Sequence, residues 1–348
     1  MAAYTTIDNP ELYFQVKTYS GTGSENAITL DGDEDMSPDL VWIKERNNTI
    51  SHRVFDSVRG ATKRIFSNNT DAESTEAQSL KSFDSDGFTL GTGGSINGGS
   101  DTYVTWCWKA NGSGSANTDG SINTTKTSAN TTSGFSIVQY DPDGTDPSTY
   151  GHGLGAVPKV ILTKVTDESS HDWKCYFEAV GNDKVMQLSV TAAEASSDAW
   201  NATTPTSTLF TCGNDGATNG SGRTIIAYCF AEKQGFSKFG SWTGNANANG
   251  PFVYTGFKPA WVMWKHTSDT YGWYILNNKS DTYNPEESFF YANSNAAEAD
   301  NTFMDFLSNG FKIRESGGGS NGSGASYVYM AFAEAPFVNS NGVPCTAR

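Results

Sequence analysis

The chain has 348 residues, 38 Asp and Glu against 23 Lys and Arg, and a formal net charge of −15. Charged residues make up only 18% and aromatic residues 13%, which excludes the low-hydrophobicity, high-charge class of disordered chains. The acidic balance argues against nucleic acid and anionic membrane as partners, since both demand a basic face.

The start, Met1-Ala2-Ala3-Tyr4-Thr5-Thr6, lacks a basic stretch followed by an apolar one, so no signal peptide is expected. No apolar run approaches the length of a membrane span, so no membrane insertion is expected. From Tyr13 an alternating stretch, Tyr13-Phe14-Gln15-Val16-Lys17-Thr18-Tyr19, runs into Gly21-Thr22-Gly23 and reads as a strand leading to a turn. It has counterparts at Phe135 to Tyr140 and Phe236 to Trp242.

Next comes Pro38-Asp39-Leu40-Val41-Trp42-Ile43-Lys44, which returns at Pro158 to Lys164 and at Pro259 to Lys265. Proline heading a strand costs no ladder hydrogen bond. A second aromatic strand follows each time, at His52 to Phe55, Asp172 to Phe177 and Gly272 to Leu276. An Ala/Glu segment recurs as Asn69 to Glu73, Thr191 to Glu194 and Asn295 to Glu298, and reads equally well as a helical turn or a loop.

Asp86-Gly87-Phe88 and Asn309-Gly310-Phe311 are hairpin signals. The middle copy has only Thr208-Leu209-Phe210-Thr211 and is the most diverged. A Gly-rich loop then precedes each last strand, at 93–99, 213–220 and 317–322. The last strands are Tyr103 to Trp108, Ile225 to Phe230 and Tyr327 to Phe332. A fixed internal period of this kind sets the architecture. In Trp106-Cys107-Trp108 the indoles share one face and Cys107 takes the other, so both faces are apolar and the strand is central or lies at a packed interface.

The five cysteines have no close spacing. Cys107 and Cys229 occupy matching positions where the third copy has Ala331, which fits a small buried side chain better than a disulfide or a metal ligand. A reducing cytoplasm is the expected site of synthesis. The Gly-rich loops lack a following Gly-Lys-Ser/Thr and a helix, so they read as mobile β-loops and not phosphate cradles.

Asp141-Pro142-Asp143-Gly144-Thr145-Asp146 resembles the start of a calcium loop, but His152 stands where the closing carboxylate belongs. Asp141, Asp143 and Asp146 are the one candidate cation site, and an acidic hairpin turn is the favoured reading. His52, His152, His171 and His266 lack metal-ligand spacing. His52 and His171 sit at similar points in their copies. No catalytic residues can be assigned, and a pair of carboxylates for glycoside cleavage has no sequence evidence behind it. Trp42, Trp106, Trp108, Trp173, Trp261, Trp264 and Trp273 could stack on sugars, but their places inside strands favour the core.

Asn9 to Phe14, Pro38 to Lys44, Phe55 to Gly60, Ser82 to Gly91 and Val104 to Ala110 together resemble a repeat family of unassigned function. That family recurs in virion structural proteins of tailed bacteriophages, marine ones especially. The ending Asn341 to Arg348 is similar to the endings of those proteins. The second module departs most from the pattern, and the family supplies no catalytic residues.

The expectation is therefore an all-β chain of three tandem β-sandwich, jelly-roll-like modules. They are an N-terminal arm plus module 1 (1–112), a Gly/Ser/Thr/Asn linker (113–133), module 2 (134–234), module 3 (235–335) and a C-terminal tail (336–348). The resemblance implies a non-enzymatic virion component without cofactors, made in the host cytoplasm. It would be an external fibre, spike or head-decoration protein, with host-surface contact as a further role. Expected partners are other virion proteins (portal, tail or major capsid protein), further copies of the chain with a trimer favoured, and a host surface glycan. The alternatives are a carbohydrate-binding adhesin module and a surface-glycan depolymerase.

Overall fold

A computed structural model describes residues 4–347. It is all-β, with 41% of residues in strands and 3% in helices, in several antiparallel sheets. The first segment carries β1 (Phe14–Ser20), β2 (Asn26–Ile28), β3 (Leu40–Glu45), β4 (Arg53–Asp56) and β5 (Lys63–Arg64). It continues with β6 (Ser74–Thr75), β7 (Leu80–Asp84), β8 (Gly87–Leu90) and β9 (Thr102–Trp108). The second carries β10 (Lys126–Asn130), β11 (Phe135–Tyr140), β12 (Ser148–Gly151), β13 (Val160–Val165) and β14 (Lys174–Phe177), then β15 (Lys184–Gln187), β16 (Ala195–Ser196), β17 (Leu209–Cys212) and β18 (Ile225–Phe230). The third carries β19 (Ser237–Thr243), β20 (Phe252–Tyr254), β21 (Phe257–His266) and β22 (Tyr274–Asn277). Its remaining strands are β23 (Glu286–Tyr291), β24 (Ala299–Leu307), β25 (Gly310–Ile313) and β26 (Ser326–Pro336).

The same pairing recurs three times. The opening strand lies beside the last, the last beside the Pro-headed strand, and that strand beside the fourth: β1-β9-β3-β4, β11-β18-β13-β14 and β19-β26-β21-β22. Register makes the equivalence residue by residue. Trp108 lies opposite Leu40, Phe230 opposite Val160, and Phe332 opposite Trp261. The smaller sheets differ. The first segment has β2-β8-β7, while the second has only β12-β17, because the hairpin signal is missing there. In the third, all eight strands form one sheet that curls until Trp242 and Phe311 meet, ring centroids 5.7 Å apart.

The apolar alternation sorts onto two faces. Val41, Ile43, Phe55, Tyr103 and Cys107 face a core inside the first segment, and Val138, Ile161, Tyr176 and Cys229 one inside the second. Trp106 and Trp108, Tyr228 and Phe230, and Met330 and Phe332 face instead a core shared by all three segments. The modules are thus not beads on a string. Three sheets turn their second apolar faces toward one another, as the alternation at Trp106-Cys107-Trp108 requires.

Three boundaries need correction. The stretch read as a linker, 113–133, contains β10, which pairs antiparallel with β11, and Ser115 bridges Thr127. Its residues are polar, so alternation could not show it. Pro259 lies inside β21, at a bulge that spares the ladder, and not at a strand head. The arm at the N-terminus packs on its own chain. Thr5 Oγ1 donates to Gln234 O, Ile7 joins the shared core, and Asp8 accepts from Ser340 N. The tail folds back beside it, with Val338 bridging Pro344.

One shared core predicts one cooperative unit. Scanning calorimetry is expected to show a single transition whose van't Hoff and calorimetric enthalpies agree. Three separable transitions would mean independent domains.

Candidate functional site

The side chains weighed as ligands do not converge. Among the described residues, no group of three or more His, Cys, Asp or Glu side chains could hold a metal ion. Asp141 Oδ2 accepts from Thr125 Oγ1 at 2.9 Å and Asp143 Oδ1 from Thr145 N at 2.8 Å, so two of the three turn carboxylates serve local hydrogen bonds. His152 is buried, bonded to Thr206 O through Nε2 and to Leu154 N through Nδ1. All seven named tryptophans are buried.

The Gly-rich loops are pinned, not loose. Two carry a single helical turn, α1 (Gly94–Asn97) and α2 (Gly216–Asn219). Each of the three loops buries an equivalent asparagine, Asn97, Asn219 or Asn321. Asn97 Nδ2 donates to Gly91 O and Asn219 Nδ2 to Thr145 O, while Asn321 Nδ2 reaches Glu315 O.

What does recur is a set of joints between segments. The residue before the fourth strand reaches back to the preceding segment. Trp173 Nε1 donates to Phe66 O at 2.8 Å, and Trp273 Nε1 to Gln187 O at 2.8 Å. His52 fills the same place in the first segment, with Nε2 3.0 Å from Tyr291 O. Its Nδ1 accepts from Trp42 Nε1 at 2.8 Å, so the proton sits on Nε2. Burial, with Lys44 nearby, pushes the His52 pKa down to about 3 and keeps the ring neutral. Register makes His52 the equivalent of Trp173, whereas the sequence set it beside His171.

A second joint runs the other way around. The amide of Glu73 donates to Thr166 O, that of Glu194 to Thr267 O, and that of Glu298 to Arg46 O, at 2.7, 2.6 and 2.8 Å. These are the recurrent Ala/Glu segments, which are loops and not helical turns. First joins second, second joins third, and third joins first. This is a head-to-tail ring closed within one chain.

Two buried charge systems accompany these joints, and each has one bond that crosses between segments. Lys44, Lys164 and Lys265 occupy equivalent positions, each at most 1% exposed. Their ammonium groups donate to backbone carbonyls: Lys44 to Asn48, Lys164 to Thr70 and His171, and Lys265 to His266 and Asp269. Desolvation pulls all three down to about 8. The other system is Arg59, whose Nε lies 2.6 Å from Asp56 Oδ2 and whose Nη1 lies 3.1 Å from Glu73 Oε2. Tyr228 of the second segment donates to the same Asp56 Oδ2 at 2.6 Å. Burial alone would lower Arg59, but Asp56, Tyr228 and Glu73 outweigh it and hold its pKa raised. Beside this network lies a polar cleft of about 400 Å³ reached by Lys63, Lys126 and Asp167. Sequence reasoning missed the network because Tyr228 comes from a different segment than Asp56 and Arg59. The recurrent Glu was visible, but not its partner.

A family model described as "Domain of unknown function (DUF7483)" matches residues 9–336, so it spans all three segments as one unit. No curated protein and no solved structure matches the chain.

Removing Arg59 strands a buried carboxylate. Arg59→Met is expected to cost about 3–5 kcal/mol in urea unfolding, and Asp56→Asn added to it to recover much of the loss. The lysines give a pH signature. Their folded pKa of about 8 lies below the usual 10.5, so between those values the unfolded chain holds more protons and stability rises with pH. Burial pushes Cys107, Cys175, Cys212 and Cys229 above their ordinary 9.0 and Tyr103 up to about 12 from an ordinary 10.0, so the folded chain holds the extra protons there and the slope reverses above about pH 9. The urea midpoint is expected to climb from about pH 7 to about pH 9, then to fall, and to climb less in Lys164→Met.

Proposed function

This chain belongs to the DUF7483 family, whose description assigns no activity, and we propose that it is a structural component of a tailed-phage virion. In this reading it is an external fibre, spike or head-decoration subunit that meets other virion proteins, with the capsid or the tail as its seat. The observation that carries the proposal is the closed ring of joints. The ring nitrogens at each joint, Lys164 and the Arg59–Asp56–Tyr228 network are spent on holding segments together. The sequence resemblance to virion repeat proteins supports the same reading.

The ring bears on the expected trimer as well. The faces through which three copies of a module would trimerise are already used inside the chain, so any homo-oligomer forms through other surfaces. Host-surface contact, as in an adhesin, is a second reading. It is favoured by exposed aromatics on β20, Phe252 and Tyr254.

Gold-labelled antibody against this protein, applied to purified particles, tests the proposal. Gold on the tail or across the capsid is the expected result and separates fibre or spike from head decoration. Bare particles, with the protein free in the lysate, would remove the virion reading. Loss of host surface polysaccharide in that lysate would then point to a depolymerase.

A further inference from the structure

We propose that the groove between the N-terminal arm and β20 is a binding site for a neutral oligosaccharide. The inference deepens the host-contact reading and concerns that surface alone. The groove encloses about 330 Å³ and is lined by Tyr4, Glu232, Gln234, Lys238, Tyr254 and Gly256, with Ser237 and Thr255 completing it. That volume lies at the low end of the roughly 300–1,000 Å³ usual for small-ligand sites.

A pyranose ring offers an apolar face of C–H bonds and a polar rim of hydroxyls. Its receptor therefore needs an exposed aromatic ring beside paired donors and acceptors. Exposed large hydrophobics are few among the described residues, and two of them, Phe252 at 46% and Tyr254 at 53%, sit on this one short strand. They alternate with buried Val253, so both rings point the same way. Two strand residues span about 7 Å, which suits platforms for neighbouring rings of one chain. β20 pairs only with β25, which leaves its other edge and its outer face uncovered by strands.

The polar partners are held in place. Tyr4 Oη lies 2.9 Å from Tyr254 Oη and donates to Gly256 O at 3.0 Å, which fixes both rings. Glu232 accepts from Phe239 N at 2.9 Å and pairs with Lys238 Nζ at 3.0 Å. The carboxylate keeps lone pairs and the ammonium keeps N–H groups for two adjacent hydroxyls. Gln234 is exposed at the rim. Gly256 closes the site with φ +85°, and a Cβ there would meet Tyr4 Oη at 2.8 Å, so the wall tolerates no side chain. The Glu232–Lys238 pair is neutral overall, and the chain's charge of −15 repels acidic glycans. The ligand class is therefore an uncharged oligosaccharide.

Saturation-transfer NMR on the full chain tests this with maltohexaose, cellohexaose and mannohexaose at millimolar concentration, and a heparin hexasaccharide as acidic control. Transfer to at least one neutral sugar is expected, with none to heparin. Tyr254→Ala and Phe252→Ala should each weaken binding about three- to tenfold, in line with one lost aromatic contact. Both rings are half exposed, so the variants should melt with the parent, and Glu232→Gln offers a variant that leaves the rings untouched. No transfer to any neutral hexasaccharide, or transfer unchanged in all three variants, overturns the proposal. Either result leaves the virion placement standing, because that is read on particles.

Discussion

Every main sheet of this protein is apolar on both faces, and that constraint organises the rest. A sheet with one wet face needs one cover, while a sheet with two dry faces needs two. Strands of the same segment supply the first cover. The second can come only from another sheet with the same need. Three such sheets satisfy one another around a common core of large rings, where Trp108 meets Trp261 edge-on at 5.7 Å and Phe14 stacks on Phe332 at 5.0 Å. Contacts of this kind add to an area term that already dominates folding. The fit leaves a cavity of only about 20 Å³ among Trp42, Trp108, Leu162, Tyr228, Trp261 and Met263, apolar and at most large enough for one water.

The lateral joints follow from that packing. Once the sheets face each other, the strand ends meet neighbouring loops, and backbone groups there lose water. Each is then paired: a Glu amide on one side, a ring nitrogen or a buried ammonium on the other. Charge inside is expensive, as the lowered lysines show, and it is kept only where several carbonyls surround it. Arg59 is held differently, by two carboxylates and a phenol from across the joint. A buried ion pair of this type fixes which surfaces meet more than it adds to stability.

Much of the fold was legible in the sequence because alternation and turn chemistry are local. The Asp86-Gly87 and Asn309-Gly310 hairpins form as read, and the two-sided apolarity of Trp106-Cys107-Trp108 pointed to a packed interface. What stayed hidden depends on partners distant in sequence. β10 is a polar edge strand that borrows its order from β11. The loop of Ala72 and Glu73 has meaning only beside Thr166. His52 stands for a tryptophan, an exchange visible only when register aligns the segments. In the candidate groove, the recurrent modules were no guide at all. Tyr4 comes from the arm and Glu232 from the end of the second module, past its last strand.

Closing the ring within one polypeptide frees it from the law of mass action. A ring of three separate chains loses its interfaces on dilution, whereas here the second and third sheets sit at an effective concentration set by short tethers. Covalent order also removes the need for the three interfaces to be alike. An identical-subunit ring must accept every substitution three times over. In this chain one joint can carry a histidine where the others carry tryptophan, and one segment can drop a strand that its neighbours keep. Asymmetry is thereby available at single positions, so one face of a nearly symmetric particle can acquire a surface feature that the other two lack.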